Sequence, residues 1–250
     1  MTGRADVAGF GVPTGWASRV LARGILRGLS GAIRLICRIP VEVANPSEVA
    51  RHPQSIVVSN HHSLFDTPVI FLALPAGRRR STATVGGLDF FAARPEQPRL
   101  ERAFRRAVIW FIRSAMNVLL IDRVGGEYSE LDRIDSMLGA GWSLVIFPEA
   151  TRSRTGEMGR FRHGAAELAR RHQLPVVPAH VSGTDRILPP GIRWPRSGRL
   201  QVVFGEAITP GPDESSANLT ARLRDAISRL DPRGASEGDP ASAVAREGAP

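Results

Sequence analysis

Short apolar segments of strand length recur along this chain, and longer amphipathic segments of helical length lie between them. A run of about four to eight apolar residues is typical of a buried strand, and an apolar period of about 3.6 residues is typical of a helix. Their alternation favours an α/β fold with a mixed, largely parallel sheet flanked by helices. The predicted strands are residues 41–43, 55–59, 83–86, 118–121, 143–147, 176–181 and 200–204. The predicted helices are residues 16–39, 65–74, 100–114, 129–138, 160–172 and 218–230.

The composition limits the domain count. With 250 residues and 42% hydrophobic content, the chain can bury one sizeable core. We expect a single domain at residues 41–230, preceded at 1–40 by a loose arm and an amphipathic helix. Residues 231–250 are rich in Gly, Pro, Ala and Ser, which is typical of a disordered tail. Pro178 predicts that its strand is an edge strand or a bulged one, because proline cannot donate to the ladder.

Two polar clusters follow predicted strands directly. Residues 60–66 follow the strand at 55–59, and residues 148–153 follow the strand at 143–147. Loops at the carboxyl ends of strands are where α/β proteins bind ligands. A histidine such as His61 can take a proton near neutral pH, and Asp66 can hold its tautomer. On a helix the two side chains would be about 140° apart, so they meet only if a turn intervenes. The alternative is a polar loop in which Asp66 caps a helix starting at Thr67.

The two clusters together resemble conserved motifs of the glycerolipid acyltransferase family, whose members acylate glycerol 3-phosphate, lysophosphatidate or related lysolipids. The first family motif, Asn-His-x-x-x-x-Asp, is matched by Asn60, His61 and Asp66. The motif Phe-Pro-Glu-Gly-Thr-Arg-Ser is matched at Phe147, Pro148, Glu149, Thr151, Arg152 and Ser153, with Ala150 in place of glycine. Two weaker motifs match at residues 118–123 and 174–179, in the family's order. The resemblance covers roughly residues 40 to 210.

The resemblance implies roles for individual residues. His61 would be the general base and Asp66 its orienting partner, with no covalent acyl-enzyme, so that Ser63 hydrogen-bonds rather than attacks. The oxyanion would be met by backbone N–H groups of the motif loops. The residues expected to bind substrate are Asn60, Arg123, Glu149, Thr151 and Arg152. Of these, Arg123 and Arg152 would hold the acceptor's phosphate, which guanidinium groups match in two-point contacts.

The same resemblance implies the substrates. The donor would be an acyl thioester, acyl-CoA or acyl carrier protein, and the acceptor a lysophospholipid, with 1-acylglycerol 3-phosphate giving phosphatidate. No cofactor is expected. No metal is expected either, because the remaining histidines follow no ligand spacing. Two alternatives stay open: another lysolipid or glycolipid acceptor, or a non-catalytic basic protein bound to anionic membrane.

The charge of the chain favours an anionic partner. The net charge is +9 and all of the 33 basic residues are arginine, so the partner is a membrane surface, a phosphate-bearing substrate or nucleic acid. A single tyrosine and the lack of any known nucleic-acid-binding motif argue against nucleic acid. The single cysteine, Cys37, fits a reducing compartment.

The predicted helix at residues 16–39 suggests how such a protein reaches a lipid. Its arginines fall within an arc of about 100°, with apolar residues opposite them, which favours a helix lying in the membrane interface. The arginines are Arg19, Arg23, Arg27, Arg34 and Arg38, and the apolar residues are Leu21, Ile25, Leu26, Leu29, Ile33, Ile36 and Ile39. The alternative is a helix packed on the domain's own core. We therefore expect a peripheral or monotopic protein at the cytoplasmic face of the cell membrane, without a spanning helix.

Overall fold

A computed structural model describes residues 15–36, 39–63, 65–87, 99–121, 128–149, 157–187 and 196–232. Within these ranges seven strands form one sheet in the order β1-β7-β6-β2-β5-β3-β4. All neighbouring strands are parallel except β6 and β7, which are antiparallel. The strands are β1 (Val41–Ala44), β2 (Ile56–Ser59), β3 (Thr82–Gly87), β4 (Val118–Ile121), β5 (Ser143–Ile146), β6 (Val176–Ser182) and β7 (Leu200–Phe204). The predicted α/β class is confirmed.

Helices cover both faces of this sheet. The helices are α1 (Trp16–Ile36), α2 (Pro46–Arg51), α3 (Asp66–Ala73), α4 (Arg99–Met116), α5 (Tyr128–Gly139), α6 (Gly164–His172), α7 (Thr184–Ile187) and α8 (Ser216–Arg229). In β2, Ile56 and Val58 pack against α5, α6 and α8, whereas Val57 packs against α1, α3 and α4. Because both faces are covered, β2 is buried at every position and reads as a continuous apolar run rather than an alternating one.

All seven strands were predicted from the sequence to within one residue at either end. The helices were predicted less completely. The short helices α2 and α7 were not predicted, and the helix expected from residue 160 begins only at Gly164. Helices of six and four residues carry too few turns to show a 3.6-residue period. The arm at residues 1–13 and all but the first two residues of the expected tail lie outside the described residues.

Pro178 lies inside the sheet, so the prediction of an edge strand is wrong. A bulge does lie beside Pro178, but its extra residue belongs to the partner segment and not to the strand of Pro178 as predicted. Strand β6 pairs with β2 on one side and β7 on the other. Toward β7 the register changes from Ala179 opposite Phe204 to Val176 opposite Ile208, which inserts one extra residue after β7. Pro178 sits at this break, where its carbonyl accepts a hydrogen bond from Gly205 N–H at 2.8 Å. Proline has no N–H to donate, and Pro178 lies where the hydrogen-bond ladder between β6 and β7 is already interrupted.

Helix α1 contacts the domain through the side that carries Ala22, Arg23 and Leu26. Ala22 and Leu26 are buried against the α4 side of the core, so Leu26 does not belong to the outward apolar face. Arg23 is half-buried, donates to Asn117 Oδ1 at 3.1 Å and approaches the Ala115 carbonyl at 3.4 Å. Burial lowers the pKa of the Arg23 guanidinium, and neighbouring arginines lower it further by charge repulsion. The alternative of a helix packed on the domain is thus correct for this side alone, since Leu21, Ile25 and Leu29 remain exposed.

Candidate active site

Three neighbouring strands bring the predicted site residues to one edge of the sheet. Strands β5, β2 and β6 are adjacent and parallel, so their carboxyl ends lie side by side. The loop after β2 carries His61 and Asp66, the loop after β5 carries Glu149, and the turn after β6 carries Thr184. We call this side of the sheet, at which β5, β2 and β6 end, the catalytic edge, because the candidate site lies there. Such convergence at the carboxyl ends of strands is where α/β proteins place ligands.

His61 and Asp66 form a hydrogen-bonded pair, with 2.8 Å between Nδ1 and Oδ2. The chain turns after Ser63, because Asp66 N–H donates to the Ser63 carbonyl and α3 begins at Asp66. The turn required by the spacing is therefore present. A carboxylate only accepts, so Nδ1 carries the proton and Nε2 carries the lone pair of the neutral ring. The His61 side chain is 17% exposed and that of Asp66 is 1% exposed, so the ring reaches outward while its partner is buried.

Asp66 does not cap its own helix in the usual sense, because its carboxylate points back into the loop that precedes α3. Oδ2 accepts the backbone N–H groups of His62 at 2.6 Å and Ser63 at 2.8 Å, in addition to the His61 ring. Oδ1 accepts the hydroxyl of Thr184 at 2.5 Å. These donors compensate for the removal of a charged group from water and fix its orientation. Sequence reasoning missed Thr184, which lies outside the four motifs.

Glu149 is a second buried carboxylate, and both of its oxygens accept backbone N–H groups. Oε1 accepts from His61 N–H at 2.9 Å and Oε2 from Gly159 N–H at 2.8 Å. A Cβ atom added at Gly159 would lie 3.1 Å from Oε2, which is a tight approach. Glu149 thus links the loop after β2 to the segment before α6, a positioning contact that a prediction of substrate binding does not describe.

The ring of His61 also stacks on Phe147. The ring centroids are 4.2 Å apart and the planes meet at 24°. Phe147 was recognised as part of a motif, but its contact with the histidine was not predicted. With the hydrogen bond to Asp66, this stacking restrains both the tilt and the rotation of the imidazole.

Asn60 is fully buried and pairs with the backbone of β6. Its Nδ2 donates to the Val181 carbonyl and its Oδ1 accepts Val181 N–H, both at 2.8 Å. The amide thus joins the end of β2 to the end of β6, two elements that are distant in sequence. This geometry favours a role in holding the two loops together over the substrate contact expected from the motif.

The backbone N–H groups of residues 61 to 63 already donate hydrogen bonds within the protein, so they are not free to stabilise an oxyanion. The N–H of His61 is donated to Glu149, and those of His62 and Ser63 are donated to Asp66. Ser63 Oγ accepts from Phe65 N–H at 3.3 Å, which agrees with a hydrogen-bonding role for this hydroxyl. If the oxyanion is stabilised by N–H groups, they must come from other positions.

Several predicted residues cannot be placed. Arg123, Thr151 and Arg152 lie outside the described residues, so their substrate contacts stay predictions. Within the described ranges, no group of three or more potential ligands is arranged to hold a metal ion. His62, next to the pair, is buried and its Nε2 has no hydrogen-bond partner among the described residues.

Comparison with known proteins places this arrangement in context. A family model described as Acyltransferase matches residues 40–182. A Brassica napus chloroplastic 1-acyl-sn-glycerol-3-phosphate acyltransferase is 30% identical over 54% of this chain and 35% of its own length. A probable 1-acyl-sn-glycerol-3-phosphate acyltransferase of Mycoplasma pneumoniae is 25% identical over 69% of this chain and 63% of its own. The chain therefore spans between about a third and two thirds of these relatives.

A solved structure shares the fold. The crystal structure of the 1-acyl-sn-glycerophosphate acyltransferase PlsC from Thermotoga maritima superposes with a TM-score of 0.64. The match covers 85% of this chain and 79% of the other, at 23% sequence identity.

Proposed function

The chain belongs to the acyltransferase family, and we propose that it transfers a fatty acyl group from an acyl thioester to the free hydroxyl of a lysophospholipid. We propose 1-acylglycerol 3-phosphate as the acceptor, which gives phosphatidate. The observation that carries the proposal is the hydrogen bond between His61 and Asp66 at the end of β2. The names of the relatives support the choice of acceptor.

The proposed reaction uses the free nitrogen of His61. Because Nδ1 is protonated and bonded to Asp66, Nε2 accepts the proton of the acceptor hydroxyl as its oxygen attacks the thioester carbonyl carbon. The tetrahedral intermediate then collapses, the carbon–sulfur bond breaks, and the imidazolium returns the proton to the departing thiolate. The products are an ester and a free thiol, and His61 is regenerated in its starting form.

The described contacts prepare His61 for this role. Asp66 stabilises the positive ring that forms during attack, and it is buried where water screens the interaction little. Phe147 restrains the ring from one face, and Glu149 holds the backbone of His61 in place. The general base is thus positioned before substrate arrives, which lowers the entropic cost of reaching the transition state.

We further propose that Arg123 and Arg152 bind the acceptor's phosphate, by the family resemblance alone. Either acyl-CoA or acyl carrier protein fits as donor, since both are anionic and the chain carries a net charge of +9. Alanine at either arginine would raise the KM for the acceptor more than the KM for the donor.

A peripheral position on anionic membrane is part of the proposal. Leu21, Ile25 and Leu29 of α1 are 58%, 45% and 52% exposed, which is unusual for large apolar side chains on one helix. Arg27, also exposed, adds a charge suited to anionic headgroups. Helix α1 ends shortly before Ile39, which packs with Ile187 and Leu200 at the catalytic edge. Among the described helices, none is both long enough and apolar enough to span a bilayer.

The proposal is tested by incubating the protein and vesicles with radiolabelled acyl-CoA and a panel of lysolipid acceptors. His61→Ala should lower turnover by about 10² to 10⁴-fold, because the general base is lost. Asp66→Asn should also lower it strongly, by misorienting the ring. His52→Ala, at the end of α2, is the matched control and should retain wild-type turnover. A His61→Ala protein that keeps most of the wild-type turnover, or a wild-type protein inactive with every acceptor, would overturn the proposal.

A further inference from the structure

One oxygen of the Asp66 carboxylate is held by a side chain from a distant part of the chain. Oδ2 accepts the His61 ring and two backbone N–H groups of its own loop. Oδ1 accepts the hydroxyl of Thr184 at 2.5 Å, across 118 residues of sequence. Asp66 and Thr184 are both buried, so this hydrogen bond is shielded from bulk water.

The backbone before Thr184 is built tightly enough to aim its hydroxyl. Gly183 has a φ of +87°, and a Cβ atom there would lie 2.0 Å from the Arg199 carbonyl oxygen, so only glycine fits. Immediately upstream, Val181 is fixed to Asn60 through both of its backbone polar groups. The end of β6 and the start of α7 are thereby locked to the loop that carries Asp66.

From this geometry we propose that Thr184 is a positioning residue for the acyl-transfer reaction, holding the plane of the Asp66 carboxylate so that Oδ2 points at His61 Nδ1. The inference rests on the proposed function. Rotation about the Cβ–Cγ bond of Asp66 moves both oxygens, and the three donors on Oδ2 all lie in the loop of Asp66 itself. The hydroxyl of Thr184 adds a restraint on Oδ1 from a separate part of the fold. The family model ends at residue 182, so Thr184 lies beyond the matched region.

The effect of Thr184 passes through the pair rather than through substrate. The hydroxyl of Thr184 donates a hydrogen bond to Asp66, and the residue is fully buried. It can therefore act on the reacting atoms only by way of Asp66 and His61. Its loss should therefore change kcat and leave the affinity for both substrates nearly untouched.

The test compares Thr184→Val, which removes only the hydroxyl at nearly constant volume, with Thr184→Ser, which restores it. Thr184→Val should lower kcat by roughly 10- to 100-fold, since a hydrogen bond to a charged group is lost at the catalytic pair. The KM values for acyl-CoA and lysophosphatidate should stay within about twofold, and Thr184→Ser should recover most of the lost kcat. Thr84→Val is the matched control, because Thr84 on β3 is also buried and its hydroxyl has no partner among the described residues.

A second measurement does not depend on turnover. In protein labelled with 15N-histidine, the His61 Nδ1–H proton should give a protected low-field NMR signal, identified by its loss in His61→Ala. This signal should broaden by exchange with water in Thr184→Val and persist in Thr184→Ser. Thr184→Ala provides the same comparison if the valine variant does not fold, as judged by thermal melting.

The outcomes separate the two proposals. Unchanged kcat and an unchanged Nδ1–H signal in Thr184→Val would overturn the positioning role, as would equal losses in the valine and serine variants. A wild-type protein that transfers no acyl group but shows the predicted NMR difference would overturn the proposed function and leave the positioning of Asp66 standing.

Discussion

The two edges of the sheet are both crosslinked by charged side chains, by buried carboxylates at one edge and by half-buried arginines at the other. At the catalytic edge, the carboxylates of Asp66 and Glu149 accept backbone N–H groups and the ring of His61. At the other edge, where β2, β3 and β5 begin, Arg78 donates to the hydroxyl of Ser143 at 2.7 Å, and Arg79 donates to the carbonyls of Leu72 and Leu74.

Both clusters are well hydrogen-bonded, and they differ in whether they contain a group that can transfer a proton. Burial lowers the pKa values of the Arg78 and Arg79 guanidinium groups, yet these groups remain protonated because they start far above neutral pH. An imidazole ring such as that of His61 can accept a proton and return it during a reaction, whereas a guanidinium group cannot. Crosslinking by charge is therefore common to both edges, while proton transfer is available where a partly exposed histidine joins the network.

The largest effect that distinguishes the edges is expected from Glu149→Gln. Glutamine presents one acceptor oxygen, so either His61 N–H or Gly159 N–H faces an amide donor instead of a carboxylate. We expect kcat to fall by about tenfold or more, with smaller changes in either KM, because the backbone of His61, the proposed general base, moves.

Glu214→Gln is the matched control for that change. Glu214 also accepts a backbone N–H, that of Gly211, and pairs with Arg222 away from the catalytic edge. Its activity should equal that of the wild type, and an equal loss in both variants would mean that Glu149 matters for folding alone.

At the opposite edge, Arg78→Met should lower stability without lowering activity. The change removes a charged donor to Ser143 while retaining the apolar stem, so the free energy of unfolding should fall by about 1–2 kcal/mol. Chemical denaturation measures this change, and kcat per folded molecule should be that of the wild type. Arg51→Met removes an exposed ion pair with Glu48 and should change stability by less than about 0.5 kcal/mol. A large fall in kcat for Arg78→Met would show that the two edges are coupled.

The smallest expected effect is on membrane binding by α1. Apart from Arg23, this helix belongs to neither of the two hydrogen-bond networks. Arg27→Gln should weaken binding to anionic vesicles by about 1 kcal/mol and leave binding to zwitterionic vesicles unchanged. Changing Ile25 and Leu29 to serine should weaken binding to both, as measured by sedimentation with vesicles. The control is Arg224→Gln on α8, an equally exposed arginine on the other face of the sheet. Equal losses for Arg27→Gln and Arg224→Gln would place the membrane contact elsewhere.

A feature could be predicted from the sequence when the residues that determine it lie close together along the chain. The strands were predicted because a buried strand shows in four or five consecutive residues. The pairing of His61 with Asp66 was implied by the family resemblance, since the residues of the loop alone left a capping role for Asp66 open. The contacts of Thr184 with Asp66 and of Glu149 with His61 depend on β5, β2 and β6 being neighbours. Strand order is a tertiary property that no local pattern contains.

The buried edge of α1 shows the same limit. The helical period placed the arginines on one arc and the apolar residues opposite them, yet it could not show which side of α1 meets α4. Arg23 is drawn inward because the αL turn at Asn117, with a φ of +51°, presents an amide oxygen to it. Leu26, on the same side of α1, is buried in the cluster that includes α4, although it was predicted to lie on the outward apolar face.

The hydrogen bonds to Asp66 tie two separate segments of the chain into one unit. Three donors from the loop after β2 act on Oδ2, and Thr184, from the turn after β6, acts on Oδ1. A displacement of either segment would therefore be transmitted through the carboxylate to the ring of His61. In the proposed reaction, that ring holds the proton taken from the attacking hydroxyl until the leaving group collects it.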